Sequence, residues 1–105
     1  MSEERRILRA LIEAVLAYDH PDFPGIPVER VEARILASFP LDGLRPLLLA
    51  CAAFASAPLA ARRAHLLAWS RSDDPDRRRA YVTLKAVVLM PAYGLPELRA
   101  AIGAP

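Results

Sequence analysis

Little in this sequence lends itself to covalent or metal chemistry. Its 105 residues include one cysteine, one tryptophan, one lysine, two histidines and four glycines. A lone Cys51 cannot close an internal disulfide, and inside an apolar run it reads as a buried thiol. The glycines at 25, 43, 94 and 103 are scattered, so no phosphate-cradling loop or dinucleotide fingerprint is present. Aromatic residues make up only 7% of the chain. The longest strongly apolar stretch, LLLACAAFA at 47–55, is about half of the ~18 residues a membrane-spanning helix needs. Arg5 and Arg6 are followed by Arg9 and Glu13 rather than by an apolar core, so no signal peptide is read and a cytoplasmic location is expected, periplasmic only with a co-exported partner.

What the chain does have is apolar mass and arginine. Apolar residues reach 54% against 25% charged, rich in alanine and leucine, which favours a folded all-helical domain over disorder or sheet. The length suits one domain, residues 1–105, with a modest core. Charge is unevenly spread. Residues 1–42 carry five bases and eight acids, and residues 43–105 carry nine bases and four acids. Such halves attract each other or present differently charged faces to a partner.

Periodicity and proline divide the chain into a compact orthogonal or up-down bundle of about five helices with a Pro-rich loop after the first. Ser2 caps a helix over 3–18, with Ile7, Leu8, Leu11, Ile12, Val15 and Leu16 on one stripe. YDHPDFPGIP excludes helix and predicts an ordered crossover anchored by Tyr18 and Phe23. Pro27 opens a second helix, with Val28, Val31 and Ile35 inward, that ends near Phe39. Asp42 is read as the cap of a third helix, with Pro46 in its first turn. That helix is apolar on nearly every side and so is expected at the centre of the bundle. A fourth helix over 58–70 turns Leu59, Leu66 and Trp69 inward. A fifth opens at Asp74 and Pro75, buries Tyr81, Leu84 and Val88, and stops at Pro91. A short turn over 96–101 ends the chain near Gly103.

Candidate sites reduce to a few side chains. Arg77, Arg78 and Arg79 follow three aspartates at a helix start, and neighbours on a helix lie about 100° apart, so all three cannot face one ligand and at most one or two reach a common partner. The run reads as a solvated face. Trp69 and Tyr81 read as structural anchors. Asp19, His20 and Asp22 suit a capped turn better than a metal site, and His65 and Cys51 match no ligand spacing. Neither Ser70 nor Ser72 sits in a nucleophile elbow, and Cys51 has no histidine nearby in sequence. No catalytic, cofactor-binding or metal-ligating residue is assigned.

RRAHLLAWSRS (62–72), DRRRAYVTLK (76–85), YG (93–94) and AIG (101–103), after the opening LRALIEAVL and its Pro-rich loop, resemble the small helical module of GMC-type flavin oxidoreductases. That module is found before the catalytic domain of long-chain alcohol oxidases and as a separate subunit in the gluconate 2-dehydrogenase subunit 3 family. The resemblance lies in the order of Arg63, Leu67, Trp69, Ser70 or Ser72, Arg78, Lys85, Tyr93, Gly94 and Gly103 along almost the whole chain. It implies a non-catalytic accessory subunit that binds, stabilises or helps mature an FAD-bearing dehydrogenase or oxidase, with the FAD in the partner. The chain departs from the family in being shorter than many members and in lacking the export signal that several small subunits carry.

Partner-interface candidates on this reading are Arg78, Lys85, Tyr93, Leu95 and Leu98. For Tyr93, Leu95 and Leu98, closing the core is an equal alternative. Self-association of the isolated chain stays open. The alternative function is a small basic nucleic-acid-binding or regulatory protein using Arg62, Arg63 and Arg77 to 79, which ranks lower because no recognition motif accompanies the charge.

Overall fold

A computed structural model describes residues 2–21 and 25–101. Phe23, Asp22 and Gly103, singled out above, lie outside the described residues. The chain is all-helical, with elements α1 (Glu3–Asp19), α2 (Val28–Ser38), α3 (Leu41–Ala55), α4 (Leu59–Ser70), α5 (Pro75–Ala92) and the short α6 (Pro96–Ala101). Among the described residues there is no strand.

Helix starts follow the expected chemistry at two places. The Ser2 side chain accepts from the Arg5 amide at 3.2 Å. Asp74 accepts from the Asp76 amide at 2.9 Å, ahead of Pro75 in the first turn. Both supply an acceptor to amides that have no partner within their own helix. The third helix departs from expectation. It begins at Leu41 after Pro40, so Asp42 lies within the first turn instead of capping it, and Pro46 falls in the second turn. Pro46 has no N–H, so the Asp42 carbonyl lacks its intrahelical donor. Pro91 likewise does not stop α5. The helix runs through it to Ala92 and closes with the Tyr93 amide on the Leu89 carbonyl at 2.9 Å.

The centre of the bundle is α1, not α3. Four helices, α2 to α5, pack on α1. Ile7, Leu8, Leu11, Ile12, Ala14, Val15, Leu16 and Ala17 are all buried, most of them completely. Each large aliphatic side chain so buried contributes about 1.5–3 kcal/mol. Helix α3 buries Leu44, Leu48, Cys51, Phe54 and Ala55 and leaves its other side open, with Leu49 67% exposed. The reason is electrostatic. Five of the seven charged residues on α1 find partners on the surrounding helices, so the helix still sits at the centre. Arg5 and Arg9 both hydrogen-bond Glu32 of α2, which is 2% exposed. Glu13 accepts from Arg62 of α4 at 2.7 Å, and Glu4 from Arg45 of α3 at 2.9 Å. Asp19 pairs with Lys85 of α5. The acidic first part of the chain thus clamps onto the basic second part. Gly25, with φ 69°, turns the chain into α2 in a left-handed conformation that a side chain would strain.

Candidate functional site

Helix α5 has two unlike sides. Leu84, Val87, Val88 and Ala92 are buried against the core. On the other side Arg78, Val82, Lys85, Ala86, Leu89, Met90 and Tyr93 recur at helical i, i+4 and i+7 spacing. Val82 is 64% and Met90 77% exposed, with Ala86 open between them. Two large apolar side chains one above the other on an outer face are the least expected feature of the surface. The sequence reading placed Arg78, Lys85 and Tyr93 here and missed Val82 and Met90. Their signal was present, since both are apolar positions off the 81/84/88 stripe.

One edge of this face is rigid. Lys85 Nζ stands 3.2 Å from Asp19 Oδ1, 5.9 Å from the ring centre of Tyr18 and 5.3 Å from that of Tyr81. The two tyrosine rings meet edge to face at 6.3 Å. Burial alone would lower the lysine pKa, but hydrogen bonds to the Asp19 carboxylate and the Tyr81 hydroxyl, and their charges, outweigh it and hold the pKa above the ordinary lysine value. The ammonium is therefore fixed and charged. A Schiff-base or nucleophilic role needs the neutral amine, which this setting disfavours. Burial, together with a hydrogen bond that Tyr81 donates to Tyr18, outweighs the neighbouring Lys85 and raises the Tyr81 hydroxyl.

Beside it, Tyr93 Oη and His20 Nε2 lie 2.8 Å apart, with their rings edge to face at 5.7 Å. Burial first, then the negative charge of Asp19, pushes the Tyr93 hydroxyl above its usual value. Gly94 follows because the Arg34 guanidinium crosses its backbone. Arg34 Nε donates to the Pro91 carbonyl at 2.7 Å, and a Cβ on Gly94 would run into the Arg34 guanidinium unless that side chain moved.

Other candidates are distributed differently. Leu95 and Leu98 are 6% and 0% exposed, so they close the core beneath α6 and are corrected from interface residues to core residues. Tyr81 is an anchor through Tyr18. Trp69 is only half-buried, set edge to face on Phe54 at 5.2 Å. In the arginine run, Arg79 lies 3.4 Å from Asp76, Arg77 stands 3.8 Å from Asp74, and Arg78 is exposed with no ion pair among the described residues. Arg62 leaves the nucleic-acid alternative altogether. It is 9% exposed and donates to the carbonyls of Ala57 and Ala10 as well as to Glu13.

Cys51 is fully buried, and burial pushes its thiol up to about 12, which leaves almost no thiolate at neutral pH. His20, His65 and Cys51 occupy separate places, and among the described residues no three His, Cys, Asp or Glu side chains come together as a metal site. Among the described residues no helix is long and apolar enough to cross a membrane. Comparison of the chain with protein-family models, with curated proteins and with solved structures gives no match.

Proposed function

We propose that the chain is a non-catalytic accessory subunit that binds and stabilises an FAD-dependent GMC-type dehydrogenase or oxidase through the outer face of α5. The observation that carries this reading is the exposed pair Val82 and Met90, on the same face as Arg78 and bordered by the fixed Lys85 and Tyr93. An apolar centre with an arginine and a tyrosine at its margin is the composition of a protein-binding surface. The polar groups at its edge are spent on one another, which suits a rigid docking face rather than one that turns over substrate. The resemblance of 62–72, 76–85 and 93–94 to the flavoprotein-associated module names the partner class, with FAD held by the partner and a cytoplasmic complex as the expected setting.

Co-expression with a GMC-type flavoprotein of the same organism, followed by size-exclusion chromatography at the flavin's visible absorbance, tests it. The expected result is co-elution that Val82→Asp with Met90→Asp abolishes, while both variants remain helical and soluble. Separate elution of the two wild-type proteins overturns the reading.

A further inference from the structure

On another side of α5, where it meets α3 and α4, lies a cleft of about 420 Å³ lined by Ala50, Ala53, Phe54, His65, Trp69 and Ala80. Its volume falls within the range of about 300–1,000 Å³ typical of small-molecule sites. Three features make it more than a gap between helices. The wall is aromatic and ordered, since the His65 ring stacks parallel on Phe54 at 5.0 Å with 15° between planes, while Trp69 meets the same phenyl ring edge on. The space exists because Ala50 and Ala53 on α3 face Ala80 on α5, where larger side chains would fill it. The mouth is dipolar, because Arg77 and Asp76 stand side by side on it.

Neither charge at the mouth is well paired. Arg77 Nε is 3.8 Å from Asp74 Oδ2, beyond hydrogen-bond reach, and Arg79 Nη1 reaches Asp76 Oδ1 only at 3.4 Å. Both remain available to groups of opposite sign. We infer that this cleft binds a small aromatic zwitterion of the aromatic amino acid class. Its ring lies against His65 and Trp69, which the buried Phe54 holds in place, its carboxylate meets Arg77, and its ammonium meets Asp76. Offset or edge-on contact with the aromatic wall favours a flat ring over an aliphatic chain of equal size. An anion alone would face Asp76 and a cation alone would face Arg77, so the paired charges select a ligand that carries both.

The site reports on itself, because Trp69 is the chain's one tryptophan. Titration of the full chain with L-phenylalanine is expected to change Trp69 emission saturably and to shift amide resonances clustered at Ala50, Ala53 and Ala80. Phenylpropionate and phenethylamine, each lacking one charge, are expected to bind at least about tenfold more weakly. Ala53→Leu and, independently, Ala80→Leu occupy the space and are expected to abolish the response, with melting temperature showing that each variant folds. Arg77→Gln is expected to bring L-phenylalanine down to the level of phenethylamine. No saturable response at millimolar ligand, or shifts scattered away from the cleft, overturns the site. Equal affinity for all three compounds overturns the zwitterion assignment. The isolated chain suffices, so the result does not depend on the flavoprotein reading.

Discussion

Arginines at the two ends of α5's surroundings behave in opposite ways. Arg62, with a side chain 10% exposed, ends on two main-chain carbonyls and Glu13, and it ties α4 to α1. Arg78, in the middle of a conspicuous RRR run, is exposed and has no ion pair among the described residues. A cluster of like charges is visible in a sequence because it is a cluster, yet residues about 100° apart around a helix disperse it. Arg62, one of the pair Arg62 and Arg63 set between alanines, draws less notice than the run of three, yet its five donors can satisfy several buried acceptors at once. The structural arginines are therefore the inconspicuous ones.

This contrast predicts a wide spread in stability. Arg62→Met keeps the aliphatic stem and removes the donors, leaving the Ala10 and Ala57 carbonyls and Glu13 without them. The expected loss is about 3 kcal/mol by urea unfolding, since a buried acceptor left unmade costs about 1–3 kcal/mol. Loss below about 1 kcal/mol would mean that water replaces the guanidinium without penalty.

Glu32 comes next. Burial opposes its ionisation, but hydrogen bonds from Arg9 and Arg5 outweigh that and hold the carboxyl below the ordinary glutamate value. Glu32→Gln is expected to cost about 2 kcal/mol at pH 7. That is under the ~3–5 kcal/mol for breaking a buried pair, because both arginines keep access to water. A folded pKa below the unfolded one gives stability that is present above the unfolded value near 4.5 and is lost as pH falls through the folded value. The gap between wild type and variant must therefore narrow between about pH 5 and pH 2. A gap constant with pH would assign the loss to packing.

How far these sites could be read from sequence follows from where their partners lie. The stripe Ile7, Leu8, Leu11, Ile12, Val15 and Leu16 was legible because periodicity is local, as were the Asp74–Pro75 start and the all-helical class. The central place of α1 was not. It depends on partners such as Arg9 and Glu32, 23 residues apart, and Arg62 and Glu13, 49 apart. Composition pointed to α3 because alanine counts as apolar, yet Ala50 and Ala53 on its open side have little surface to bury. Of the candidate face, Arg78, Lys85 and Tyr93 were named from the order of residues in the resemblance, and helical spacing in α5 sets them on one side. For Leu95 and Leu98 the sequence left interface and core equally open, because Leu95 and the six residues of α6 after it carry too little periodicity to show which side meets the core.

Lys85 lies between the two extremes. Its ammonium has Asp19 and two tyrosine rings around it, but water still reaches it. Lys85→Met is expected to cost about 1 kcal/mol, the value of a cation over aromatic rings with one half-exposed ion pair. Because its pKa is raised, that contribution holds below the ordinary lysine value near 10.5 and fades as pH rises past the folded value. Thermal melts of wild type and variant at pH 7 and pH 11 check the sign, and a gap that widens toward pH 11 would exclude it.

The outer face sets the lower end of the comparison. Arg78→Ala removes an exposed guanidinium without an ion pair, and Ala is the better helix former, so stability is expected to move by no more than about 0.5 kcal/mol. Met90→Asp trades an exposed apolar side chain for a solvated one, with a small cost from helix propensity and from a negative charge near the helix C-terminus. If either costs as much as Arg62→Met, the face is part of the fold and the distinction between joining and displayed residues fails. If both leave the melting temperature nearly unchanged, the side chains at 78 and 90 are not held by stability. That outcome is what the proposed docking face requires of Val82 and Met90, which must be displayed to water rather than packed into the fold.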